Sequence, residues 1–237
     1  MRHLPNLLTL VNLFCGCCAL VCVFSGQFIP AVVFLGVSLL ADFLDGFVAR
    51  LLGVGSEMGK ELDSLADMVS FGVVPGAILY TLITLSMEGS VFFTQVHYFA
   101  LPAFLISAAS GYRLAKFNLD SRQTENFIGL ATPANTVFFV GLLLIYQFDS
   151  FGWRNAVLTP RFLLVLIPIS SWLMTSEIGM FSFKIKRLSL KGNEIKFIFA
   201  AAAVLTVVFM GWAAPAVIVV EYVILNLVGV FLFKVRA

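Results

Sequence analysis

Two pairs of aspartates stand inside apolar sequence where charge is costly. Asp42 and Asp45 lie three apart near the end of one apolar run, and Asp63 and Asp67 lie four apart at the start of the next. Those intervals set each pair on one face of a helix. The short connection between the runs brings the two pairs face to face. One Asp at the centre of a membrane helix costs about 2.5–3.5 kcal/mol on insertion scales, less near the interface, and four facing anions also repel one another. Arg50 alone cannot balance them. Hard divalent cations are the natural counterions for such an all-oxygen site. Two ions about 3.5–4 Å apart would clamp a diphosphate and stabilise a leaving oxygen. A single Asp near a helix end would read as a cap or as topology punctuation. Four at matched spacings read as chemistry.

The elements that must carry these acids are membrane helices. Of the 237 residues, 60% are hydrophobic and only 12% charged, with a mean hydropathy of +1.01. A soluble domain of this length carries about twice that share of charge. Apolar segments fall near 7–25, 30–53, 66–87, 97–116, 131–148, 161–177, 196–211 and 214–233, and a span takes roughly 20 such residues. The fold expected is an all-α integral membrane bundle of about eight transmembrane helices, with Pro215 separating the last two as a hairpin. With the N-terminus inside, every Lys and Arg except Arg154 and Arg161 falls on the cytoplasmic side. An even helix count then places both termini, and the aspartates, at the cytoplasmic face of a multi-pass cell-membrane protein.

Other features read as structural. The net charge of +2 gives no reason to expect nucleic acid as a partner. Cys15, Cys17, Cys18 and Cys22 lack the second pair and polar turn of a thiolate metal site, so they are expected as buried thiols. The N-terminal apolar stretch reads as a retained helix, since no cleavage site followed by a polar region appears. His3 and His97 are expected on opposite faces and carry no catalytic role. Glu57 and Glu61 suit loop and first-turn positions. The five basic residues of 182–196 read mainly as topology-setting charge, with anionic headgroups as the alternative contact.

From Asp42 to Asp67 the chain reads D-x-x-D-G-x-x-A-R-x8-G-x3-D-x3-D with every fixed position filled. This run resembles the motif of the CDP-alcohol phosphotransferases, a family with a six-helix core; the last hairpin would be an addition to it. The resemblance implies that Asp42, Asp45 and Asp63 hold two divalent cations, Mg2+ or Mn2+. Asp67 would contact a metal and act as general base. Gly46 would let the nucleotide approach the helix backbone, Arg50 would meet the diphosphate, and Ser56 would touch the nucleotide. Pro5-Asn6-Leu7-Leu8-Thr9 is similar to the family's opening, where Asn6 and Thr9 would hold the cytidine end of CDP-diacylglycerol. A homodimer is also implied, with Gly72 and Gly76 as possible close-packing points.

Gly111-Tyr112-Arg113-Leu114-Ala115-Lys116-Phe117-Asn118, Phe127-Ile128-Gly129-Leu130-Ala131-Thr132-Pro133-Ala134 and Ser182-Phe183-Lys184 resemble the phosphatidylserine synthase branch. L-serine is accordingly the expected acceptor, with glycerol 3-phosphate or inositol phosphate as alternatives. Arg113, then Lys116, would grip its carboxylate or a lipid phosphate. Departures from the branch pattern occur at Lys116 and Ala131, where Arg and Pro are commoner, and at 176–184, which lacks an Arg-Tyr pair. A divalent-cation transporter is the competing class. It would place its acids near the midplane and often in repeated halves, whereas these lie at one edge without an echo.

Overall fold

The computed structural model describes residues 3–89, 96–120, 127–181 and 194–233. Among them, eight main helices follow the apolar periodicity in order. They are α1 (Leu4–Phe24), α2 (Phe28–Leu52), α3 (Glu57–Glu88), α4 (Leu105–Leu119), α5 (Thr132–Phe148), α6 (Pro160–Thr175), α7 (Glu194–Met210) and α8 (Ala214–Phe233). On length and composition α1, α2, α3 and the Ile195–Val228 stretch can cross a membrane, and α5 and α6 are shorter apolar helices. The protein is an all-α integral membrane protein.

Helix ends follow local chemistry. Pro5, Pro133 and Pro160 sit in first turns, where a missing N–H leaves nothing unpaired. Gly53 ends α2 in the left-handed conformation (φ 62°). Ser56 caps α3, its Oγ accepting the Gly59 N–H at 3.0 Å. Helix α3 therefore begins at Glu57, nine residues before its apolar run, because its first three turns are polar and capped.

Inside α3, Met68–Val73 widens into a π-helical turn. Pro75 supplies the reason, since it has no N–H for the Phe71 carbonyl and its ring crowds that oxygen. Thr136 Oγ1 on α5 donates to Phe71 O at 3.2 Å, and Ser107 Oγ on α4 donates to Gly72 O at 2.8 Å. The irregular turn thus docks α3 between α4 and α5. Its apolar half, Val74–Leu85, is buried and forms the core of the bundle.

Gly72 and Gly76 do not lie on a free face. A Cβ at Gly72 would stand 3.2 Å from Ser110 Cβ, and one at Gly76 would meet Ser107 and Phe104. They pack α3 against α4 and its 3-10 lead-in, Tyr98–Phe104, within one chain. The four cysteines are free, with Cys15 buried but Cys17 exposed on the outer side of α1.

Two-residue strands, β1 (Phe127–Ile128) and β2 (Gly179–Met180), pair antiparallel between α4–α5 and α6–α7. No apolar period predicts elements this short. Gly211 (φ 51°) and a 3-10 turn reverse the chain, and α7 and α8 pack as the expected hairpin. The Ser182-Phe183-Lys184 run and basic positions 184–191 lie outside the described residues.

Candidate active site

Helices α2 and α3 are joined by the 53–56 loop, and α1 packs against both. Carboxylate oxygens of Asp42, Asp63 and Asp67 lie within 4.8 Å of one another. Asp42 and Asp67 are within hydrogen-bonding reach. Two anions at that separation need a proton or a cation between them. Asp63 Oδ1 is buried without a hydrogen-bond partner among the described residues, an orphan oxygen that suits a metal ligand. Asp45 stands beside this triad, its Oδ2 accepting the Thr9 hydroxyl at 2.6 Å. The four acids expected together are therefore neighbours, three in a tight group and one shared with α1. All-oxygen ligands in such a group fit a hard divalent cation.

Helix α1 supplies a residue that the motif does not contain. Asn12 is fully buried, and its Nδ2 donates to Asp67 Oδ1 at 3.1 Å. Its Oδ1 and backbone carbonyl both face the Ser38 hydroxyl of α2. Ser70 Oγ, from the π turn of α3, also donates to Asn12 O at 3.1 Å. One residue thus joins three helices and fixes one oxygen of Asp67. Gly16, one turn further on, allows the approach, for a Cβ there would overlap Ser70.

Next to the acids opens a cleft of about 240 Å³ between α1, α2 and the start of α3. Asn6, Thr9, Gly46, Arg50 and Ser56 all line it, as do Asp45 and Asp63. A Cβ on Gly46 would lie 3.4 Å from Arg50 Nη1, so the guanidinium folds back across bare backbone. A Cβ on Gly59 would lie 3.1 Å from Ser56 Oγ and 3.2 Å from Asn6 Oδ1. This motif glycine lets the end of α1 close on the loop. Lys60 adds a second cation to the wall and donates to Asn118 O at 3.2 Å. Asn118 Nδ2 donates in turn to Ser64 Oγ at 2.8 Å, tying α4 to α3 beside the site.

Arg113 on α4 is 6% exposed and lies within electrostatic reach of Asp67. Its guanidinium stacks over Phe117 at 5.9 Å, and its Nε makes no hydrogen bond among the described residues. A buried guanidinium with an unused donor is a ready anion contact. Lys116, one turn on, is more exposed and reaches Glu177 at 3.1 Å.

Fold and site together define a polytopic membrane protein with an acidic, metal-competent centre opening onto a cleft that carries basic side chains. Residues 2–180 match the CDP-alcohol phosphatidyltransferase family, and the chain belongs to that family. It is similar to the CDP-diacylglycerol–serine O-phosphatidyltransferase of Bacillus subtilis (strain 168), 33% identical over 186 residues, which cover 78% of this chain and 93% of the relative. The enzyme of the same name from Helicobacter pylori (strain ATCC 700392 / 26695) is 34% identical, over 79% of this chain and 75% of its own. That of Mycobacterium leprae (strain TN) is 31% identical over 90% and 70%.

Proposed function

We propose that the chain transfers the phosphatidyl group of CDP-diacylglycerol to the hydroxyl of L-serine, giving phosphatidylserine and CMP. The observation that carries this reading is the cleft. The five residues expected to hold the CDP-lipid line one cavity, and the acid triad stands beside it. The names of the similar enzymes support serine as the acceptor.

In this reading Asn6, Thr9, Gly46 and Ser56 receive the nucleotide and Arg50 meets the diphosphate. Asp42, Asp45, Asp63 and Asp67 would hold two divalent cations, Mg2+ or Mn2+. Such ions, when bound, neutralise the diphosphate and the oxygen that leaves with CMP. Asp67 accepts the serine hydroxyl proton as that oxygen bonds to the phosphorus next to the diacylglycerol and the bond to CMP breaks. Asn12 donates to one Asp67 oxygen and so orients the carboxylate that takes this proton. Arg113 takes the serine carboxylate, while Lys116, engaged with Glu177, serves as an outer contact. The distribution of Lys and Arg supports cytoplasmic termini and a site at the cytoplasmic face. The dimer implied by the family would use faces other than Gly72 and Gly76.

The test is acceptor choice. Purified full-length protein in CDP-diacylglycerol vesicles with Mn2+ or Mg2+ is offered serine, glycerol 3-phosphate or inositol phosphate. Serine-dependent CMP release with formation of phosphatidylserine is expected. Release that depends on another acceptor, or cation flux without CMP release, would contradict the assignment.

A further inference from the structure

The family match stops at residue 180, one residue before a contact made by the last helix. Phe181 follows β2 directly, and α8 holds both of its backbone groups. Asn226 Oδ1 accepts the Phe181 N–H at 2.7 Å, and the Tyr222 hydroxyl donates to Phe181 O at 2.9 Å. Asn226 Nδ2 donates to the main-chain carbonyl of Tyr222, one turn earlier, at 2.7 Å, which fixes the Asn226 side chain against α8. The Tyr222 ring packs edge-on against Phe181 and Phe199 with centroids 5.0 and 5.7 Å away. A four-residue antiparallel ladder such as β1–β2 is marginal by itself. This grip is what fastens its far end.

The segment so held borders the acceptor side of the site. It begins at the end of α6 with Ser176, and its Glu177 pairs with Lys116. Arg113 lies one turn before Lys116 and within electrostatic reach of Tyr222 as well as Asp67. Both basic residues of α4 thus stand beside the clamp or the segment it fixes. Among the described residues, the nucleotide cleft is lined by α1, α2, the 53–56 loop and α3, with none from α8 or this segment.

We propose that Tyr222 and Asn226 are positioning residues for the acceptor, acting through Phe181 to hold the segment whose Glu177 pairs with Lys116, one turn from Arg113. This rests on the reading of Arg113 as the acceptor contact. The C-terminal hairpin then tunes acceptor binding without taking part in nucleotide binding.

The experiment uses the full chain in vesicles and measures separate KM values for L-serine and CDP-diacylglycerol. Tyr222→Phe removes the donor to Phe181 O and keeps the ring trio; Asn226→Leu removes the acceptor for the Phe181 N–H; Asn226→Asp keeps that acceptor. The first two should raise the serine KM about tenfold and leave the CDP-diacylglycerol KM within about twofold, with Asn226→Asp recovering most of the loss. Retained CDP binding by each variant shows that it is folded. An unchanged serine KM in both Tyr222→Phe and Asn226→Leu overturns the proposal, and so does a parallel loss in both substrates. The wild-type acceptor is established first. Should it be another alcohol, the serine assignment fails alone, and the clamp is judged on the KM for that alcohol.

Discussion

At the scale of single residues, the proposed chemistry centres on Asp67 and the groups around it. Asp67→Asn keeps size and hydrogen-bonding capacity but removes the proton acceptor. Turnover should fall about 10²–10⁴-fold, the usual worth of a general base, with much smaller loss of CDP affinity by equilibrium binding. An active variant would remove Asp67 from that role. Asn12→Leu takes away the donor to Asp67 and the group facing Ser38 together. A buried acceptor left unpaired costs about 1–3 kcal/mol, so thermal unfolding should shift down while kcat drops and CDP binding persists. Arg113→Ala should raise the serine KM more than the lipid KM; equal constants would return Arg113 to a structural role. The aspartates were legible because charge in apolar sequence is costly and their intervals were regular. Asn12 was missed, although Asn6, Thr9 and Asn12 recur every three residues on α1. That polar stripe was the available signal, and its meaning needed the partner helices.

At the scale of elements, apolar runs marked each of the eight helices described, because burial in lipid requires unbroken apolar length. Their ends were less legible. The polar start of α3 is set by the Ser56 cap, and its π turn by Pro75 acting with hydroxyls from two distant helices. Strands β1 and β2 owe their pairing to where α4, α5 and α6 happen to end. The close crossing of α1 on α3 depends on Gly16. Gly16→Val should force these helices apart, since its side chain would overlap Ser70. Lower thermal stability and weaker CDP binding are expected together, because Thr9 and Asn12 would leave Asp45 and Asp67. A variant with normal CDP binding would show that the crossing does not position the site.

At the scale of the whole molecule, the architecture divides labour between two ends of the chain. The first three helices build the acidic centre and its cleft, which the family motif and the opening residues already marked. Helix α4 brings Arg113 to the edge of that centre, and the hairpin beyond the family match clamps the segment beside it. Charge bias speaks to orientation and the motif to chemistry, but neither reaches this coupling between distant segments. In the proposed chemistry, the neighbouring carboxylates of α2 and α3 hold divalent ions together. Electron paramagnetic resonance of the purified full chain titrated with Mn2+ tests it most directly. About two Mn2+ per chain are expected in the presence of CDP, with that binding strongly weakened in Asp42→Ala and Asp63→Ala. Undiminished Mn2+ binding in both variants would contradict it.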